Sequence, residues 1–183
     1  RAIPNLDVVR PADANETSVA WGEILRRTDR PAGIILSRQD LRIVARGDEY
    51  SSAEGVARGG YVLKEASDKP RLILIASGSE VALALEAAAK LEEDNVPTRV
   101  VSMPCTEWFD EQDPEYRESV LPKDVKARVS IEAGIAMGWG RYVGDAGASI
   151  SIECFGASAA GSKCFEEYGF TVDNVIKTAR SVL

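Results

Sequence analysis

Apolar and polar positions along this chain switch repeatedly between two periods. Residues 72–76, "LILIA", are five apolar residues in a row, closed by the turn formers Ser77-Gly78-Ser79. So short and unbroken a run predicts a strand buried on both faces. Over residues 80–91, Val81, Ala84, Leu85, Ala88 and Leu91 then recur at helical spacing, which predicts a helix with one buried stripe. The alternation continues to the last residue. Strands are predicted over 98–104 "TRVVSMP", ended by Pro104, over 127–134 "ARVSIEAG" and over 149–156 "SISIECFG". Between and after them come a turn at Asp113-Pro114 leading into a short helix over 115–120, a glycine-broken helix in "MGWGRYVGD", and two helices in "SKCFEEYG" and "VDNVIKTARSVL". Strands and helices in alternation predict an α/β domain of three layers.

The first 38 residues carry a smaller unit of the same kind. Residues 6–10 read as an extended stretch stopped by Pro11, which also disfavours helical angles at Arg10. "PADANETSVAWGEILRRT" predicts a helix that starts at Asp13, with Glu16 three residues on to help satisfy the orphan N–H groups. Val19, Ala20, Ile24 and Leu25 can share its buried face. Pro31 breaks the helix, and "AGIILSR" predicts a second strand. A strand, a helix and a strand are too little to cover both faces of their own sheet, so the unit must lean on another part of the chain. From Gln39 to about Lys69 the periodicity fails, apart from one strand pattern at 61–65, and this segment reads as a connector.

The turn Ser77-Gly78-Ser79-Glu80 invites a nucleotide-binding interpretation. A dinucleotide fingerprint needs G-x-G-x-x-G, however, and only Gly78 is a glycine here; a P-loop lysine is also absent. The pattern is S-x-x-E, which predicts a helix cap: Ser77 toward the N–H three residues on, and Glu80 back toward the backbone of Ser77. A structural turn is expected, not a phosphate site.

Composition narrows the chemistry. The chain has 183 residues, 45% hydrophobic and 28% charged, the profile of an ordinary globular protein. Its net charge of −7 argues against a nucleic-acid surface. No apolar run is long enough for a membrane span. Cys105, Cys154 and Cys164 are odd in number and lack C-x-x-C spacing, which speaks for buried or semi-buried thiols in a reducing cytoplasm rather than a disulfide framework or zinc site. There is no histidine, and so no imidazole base, no Ser-His or Cys-His pair and no histidine ligand. The chain opens "RAIPNLDVVRPAD", without methionine and straight into a strand-like stretch, which reads as a cut.

Eight phrases together carry more than a generic α/β pattern: "PNLDVVRPADANET", "LSRQDL", "ARGGYVL", "LILIASGSEV", "TRVVSMPCTEWFDEQ", "YRESVLP", "VSIEAGIAMGWGRYVGD" and "ECFGAS…YGFTVDNV". In this order the chain resembles, over essentially its whole length, the carboxy-terminal portion of transketolases. The resemblance implies an enzyme that moves two-carbon ketol units between sugar phosphates in the pentose phosphate pathway, using thiamine diphosphate and Mg or another divalent metal, as a cytoplasmic homodimer. It implies that residues 1–45 are the end of the pyrimidine-binding domain, 46–69 a connector and 70–183 the C-terminal domain. That domain is expected to be a mixed, mostly parallel five-stranded sheet with helices on both faces. The family's G-D-G…N metal and diphosphate motif, its cofactor-protonating glutamate and its histidines are absent, so no catalytic, cofactor-binding or metal-binding residue is expected in this chain, and the chain alone is expected to be inactive.

One family site residue maps onto the chain. In "LSRQ" the family's phosphate-binding arginine falls on Arg38, with Ser37 and Gln39 as positioning neighbours. A guanidinium fork suits phosphate oxygens, and Arg38 follows a predicted strand at the end where α/β sheets bind ligands. Arg10 is expected in a structural ion pair or a hydrogen bond to the nearby loop, Glu132 in a structural role, and Trp108, Phe109, Trp139 and Tyr142 in the core or a dimer contact. Two departures from the family bear on C-terminal packing: Ala160 replaces a proline common in the family, and Cys164 a leucine. The alternatives are a free-standing α/β binding or regulatory module, or the corresponding part of a related thiamine-dependent enzyme such as dihydroxyacetone synthase or deoxyxylulose-phosphate synthase.

Overall fold

The computed structural model describes residues 1–183 and consists of a small and a large parallel arrangement packed together. In the small one, β1 (Asp7–Val9) and β2 (Ala32–Ile34) pair in parallel, with Val8 opposite Gly33, and are joined by α1 (Ala14–Arg26). A 3-10 helix (Ala53–Arg58) leads into β3 (Tyr61–Lys64). There follow β4 (Leu72–Ala76), α2 (Glu80–Glu93), β5 (Thr98–Ser102), α3 (Thr106–Asp110), α4 (Pro114–Val120), β6 (Arg128–Ile131), α5 (Gly140–Val143), β7 (Ala148–Ile150), α6 (Gly161–Glu167) and α7 (Val172–Ser181).

The large sheet has the order β3-β5-β4-β6-β7, with β3 antiparallel and the other four parallel. β4 sits at its centre because every one of its residues is apolar and can be buried on either face. Side chains alternate across a strand, so Leu72, Leu74 and Ala76 face one way, against Val81, Ala84, Ala88 and Leu91 of α2 and Val175 and Ala179 of α7. Ile73 and Ile75 face the other way, against Met103, Phe109, Val120, Leu121, Trp139 and Tyr142, contributed mainly by α3, α4 and α5. Three layers result. Each of the four fully buried Leu and Ile side chains of β4 stabilises the fold by roughly 2 kcal/mol through burial, and they fix the register of Leu74 between Val100 and Val129.

The small unit leans on this sheet. Val9 and Ala20 belong to the same core as β4 and α2. The indole of Trp108 in α3 donates to Asp7 Oδ2 at 2.6 Å, and Arg27 lies over its ring. Trp108 and Trp139 are fully or almost fully buried, as are Phe109 and Tyr142, so all four aromatics are core residues of this chain.

Several elements differ from the pattern in the sequence. β3 lies in the segment that reads as connector, yet it is an edge strand of the large sheet. β2 ends at Ile34, and Ile35 and Leu36 are half exposed beyond it, because β1 is the only strand available to pair with. β7 is likewise only three residues long. α3 carries five residues, too few to show a period. Leu25, assigned to the buried face of α1, is 73% exposed, since nothing packs over that flank. Of the cysteines, Cys105 is buried and Cys154 is exposed, contrary to its expected burial. No helix is long and apolar enough to cross a membrane.

Candidate functional site

Open α/β sheets bind ligands at the carboxyl ends of their strands, where the winding order reverses. In the large sheet that crevice lies between β4 and β6, flanked by Ser77 after β4 and Glu132 after β6. It is filled from within. Ser77 Oγ donates to Glu132 Oε2 at 2.7 Å. Arg10, arriving from the end of β1, places Nη1 3.0 Å from Glu80 Oε2, 3.1 Å from Ser77 Oγ and 3.6 Å from Glu132 Oε2. Arg1 adds a second fork onto Glu132, with Nη2 3.0 Å from Oε2. The N–H of Ala133 donates to Glu80 Oε2 at 2.9 Å, and Gly78 N–H donates to the carbonyl of Arg10 at 2.9 Å.

Arg10 and Glu132 are thus the structural ion-paired residues that the sequence implies. The cap at Ser77 is different from expectation. Ser79 holds the N-cap position of α2 and makes no side-chain cap bond, while Ser77 and Glu80 turn toward Arg10 and Glu132. The Arg10 guanidinium competes successfully for these oxygens, since a charge-assisted bond is stronger than a neutral cap. Burial raises the pKa of Glu132, but Arg1, Arg10 and Ser77 together more than reverse this and hold its carboxyl below the usual carboxylate range. The crevice holds no open anion site.

A second buried network ties α1 to the large sheet. Asp13 caps α1 by accepting from Glu16 N–H at 2.9 Å, and its other oxygen accepts from Val44 N–H at 3.0 Å. Glu16 does reach back, though to the N–H of Ala12, at 2.8 Å. Its other oxygen accepts from Tyr61 Oη at 2.8 Å and Ser102 Oγ at 2.7 Å. Burial pushes the Glu16 carboxyl above the usual range, although these donors and Arg46 oppose it. Sequence alone could show the Asp13–Glu16 spacing, but not the partners 45 and 86 residues away.

The remaining candidate is the segment after β2. Ser37 and Gln39 line an open groove of about 540 Å³ together with Pro11, Asp13, Thr17 and Asp40. The Gln39 amide also crowds the backbone of Gly161, where α6 begins, so this loop touches the last third of the chain. Arg38 is exposed, does not line the groove, and makes none of the ion pairs that engage Arg1, Arg10 and Arg46. Its five N–H donors face solvent, where an oxyanion can meet them. No grouping of Cys, Asp and Glu side chains is arranged to hold a metal ion. The Ser77–Glu80 turn is likewise filled by Arg10.

The chain is thus an α/β protein whose strand ends are sealed by its own ion pairs, with the exposed Arg38 lying outside them. Known proteins share this α/β architecture. The family described as "Transketolase-like TK C-terminal domain" matches residues 59–171, and "Transketolase, pyrimidine binding domain" matches residues 1–44. The chain belongs to the transketolase family. It is 51% identical to Transketolase 1 of Escherichia coli over 183 residues, covering 100% of this chain and 27% of the relative. Among solved structures, the transketolase of Pichia stipitis in complex with sedoheptulose-7-phosphate superposes with a TM-score of 0.89 at 38% identity, covering 100% of this chain and 26% of that one. A split-gene transketolase solved as an inactive β4 tetramer gives a TM-score of 0.77 at 26% identity, covering 100% of this chain and 59% of that one. The chain therefore spans about a quarter of the length of the curated relatives it matches.

Proposed function

We propose that the chain serves as the carboxy-terminal part of a transketolase, in which Arg38 grips the phosphate of a sugar-phosphate substrate. In the complete enzyme, ketol transfer depends on thiamine diphosphate and a divalent metal, and both are held by residues outside this chain. The role of these residues is confined to binding and positioning. Arg38 presents a guanidinium fork to the non-reacting end of the substrate, Ser37 and Gln39 set the loop that carries it, and the Arg10–Glu80–Glu132 cluster fixes the small unit on the large sheet. Residues 1–45 belong to the pyrimidine-binding domain, and the large sheet to the C-terminal domain. The single observation that carries this proposal is the exposed guanidinium of Arg38, without a carboxylate partner, on the segment after β2 where the family's phosphate-binding arginine falls.

Three further features support the wider proposal. The relative crystallised with sedoheptulose-7-phosphate shows that a protein of this fold takes a sugar phosphate. Exposed Ile35, Leu36 and Ile43 offer apolar surface to the rest of a pyrimidine-binding domain and to the partner of a cytoplasmic homodimer. The inactive tetramer of the split-gene relative supports inactivity of this portion by itself. A chimera of Escherichia coli Transketolase 1 carrying this chain in place of its matched quarter tests the role of Arg38. Arg38→Ala should raise KM for phosphorylated sugars by about 10- to 100-fold, the loss of one or two charge-assisted bonds, and leave KM for an acceptor lacking phosphate unchanged. Equal effects on both acceptors would overturn the assignment. Titrating the isolated chain with thiamine diphosphate and magnesium should show neither binding nor ketol transfer.

A further inference from the structure

On the sheet face opposite α2 and α7, a groove of about 320 Å³ opens between α4, the start of β6 and α5. Its lining includes four cations, Arg117, Lys123, Arg128 and Arg141, and only two carboxylates, Asp110 and Glu118. That local excess is notable in a chain of net charge −7. Both carboxylates are engaged at the rim. Asp110 pairs with Arg141 at 2.8 Å and Glu118 with Lys123 at 3.5 Å, and those two cations are 62% and 85% exposed.

The inner two cations have no acidic partner. Arg128 is half buried and donates to four carbonyls, those of Val125 at 2.9 Å, Tyr142 at 2.7 Å, Leu121 at 3.1 Å and Pro122 at 2.8 Å. Carbonyls fix its plane but neutralise no charge, so burial disfavours its charged form, with Glu118 helping only at longer range. Arg117 has a buried Nε–H that reaches no acceptor. Arg27, Arg30 and Arg46 also carry such an Nε–H, yet each of them pairs with carboxylates; Arg117 pairs with none. Stapling of the loop around residues 121–125 accounts for Arg128. It leaves Arg117 unexplained: half-buried on the groove wall, it pairs with no carboxylate.

We infer that this groove binds a compact phosphorylated ligand, whose oxyanion bridges Arg117 and Arg128 while Lys123 closes over it. A tetrahedral oxyanion can accept from the Nη donors of Arg117 and from the one N–H of Arg128 that is not given to a carbonyl, and it supplies the negative charge that the groove lacks. No residue of this site is shared with the Arg38 segment, so the two can be separated experimentally.

The test uses the full 183-residue chain with labelled arginine, observing the Nε–Hε resonances during titration with inorganic phosphate and with glycerol phosphate. Saturable shifts at Arg117 are expected, with dissociation constants near the millimolar range. Tighter binding of the ester would assign the site to phosphorylated small molecules, and equal binding to free phosphate; either supports the inference. Arg117→Gln should weaken binding about tenfold, the loss of one charge-assisted contact. Lys123→Gln, at a position too exposed to disturb folding, should weaken it several-fold and flatten its salt dependence. Arg38→Ala should leave it unchanged. Non-saturating shifts, equal affinity in Arg117→Gln and Lys123→Gln, or loss of binding in Arg38→Ala would each overturn the inference, the last by moving the oxyanion to the other arginine.

Discussion

The carboxylate of Glu16 is fully buried, yet three donors converge on it: Ala12 N–H, Tyr61 Oη and Ser102 Oγ. Its worth lies in those bonds more than in its charge. Burial raises its pKa above 4.5, so its contribution to stability is fully present below that value and is lost as pH rises through the folded value. Glu16→Ala strands a backbone donor and two hydroxyls in a dry core and should cost about 3 kcal/mol or more in urea unfolding at neutral pH. Glu16→Gln keeps an acceptor for Ala12 and can donate to the two hydroxyls, so it should stay within about 1 kcal/mol of the parent and gain on it as pH rises. A Gln variant as damaged as the Ala variant would show that the charge, paired with Arg46, is indispensable.

At the level of elements, the tightest constraint lies where the 3-10 helix ends. Gly59 has φ +80, and a Cβ there would collide with the backbone of Phe109, Cys105 and Trp108, so β3 and α3 can approach only through a glycine. Gly59→Ala should destabilise by about 3 kcal/mol, combining left-handed strain with overpacking against atoms that cannot rotate away; a loss under 1 kcal/mol would mean that α3 is free to shift. This contact also shows what was legible in the sequence. β4, α2, β5, β6 and α7 follow directly from apolar runs and helical stripes, because their burial depends on the two faces of one sheet. α3 and the edge strand β3 are held by partners far away in the chain, so no local period announces them. The Ser77-Glu80 spacing is a true helix start whose side chains were claimed by Arg10, 67 and 70 residues upstream. Likewise Arg38 is recognisable only by family resemblance, since a lone arginine after a short strand carries no distinguishing pattern.

Across the whole molecule, the small unit is joined to the large sheet by charges that respond to acid in opposite directions. Glu132 has a depressed pKa: burial works against it, and Arg1, Arg10 and Ser77 outweigh burial. Its contribution is therefore present above the unfolded value of 4.5 and disappears as pH falls through the lower folded value. Glu16 has the opposite sign and becomes easier to bury as pH falls toward 4.5, a gain complete before the Glu132 loss sets in. Glu132→Gln keeps the shape of the side chain and removes its charge from between two guanidinium groups that are only 13% exposed. Arg10 retains Glu80, and Arg1 retains a long contact to Glu107 at 3.9 Å, so the deficit at neutral pH should be about 3 kcal/mol, at the lower end for breaking a buried pair. As pH falls through the depressed folded value, the parent protonates Glu132 and loses what the variant already lacks, so their melting temperatures should converge. Both curves should slope downward, since Glu49, Glu92, Glu111, Asp124 and Glu153 are also held below the usual carboxylate range, and the variant's should be the flatter because it lacks Glu132. Curves that stay parallel through the whole acid transition would mean that the N-terminal guanidinium groups are not held by Glu132 in solution, and that the crevice between β4 and β6 opens to water.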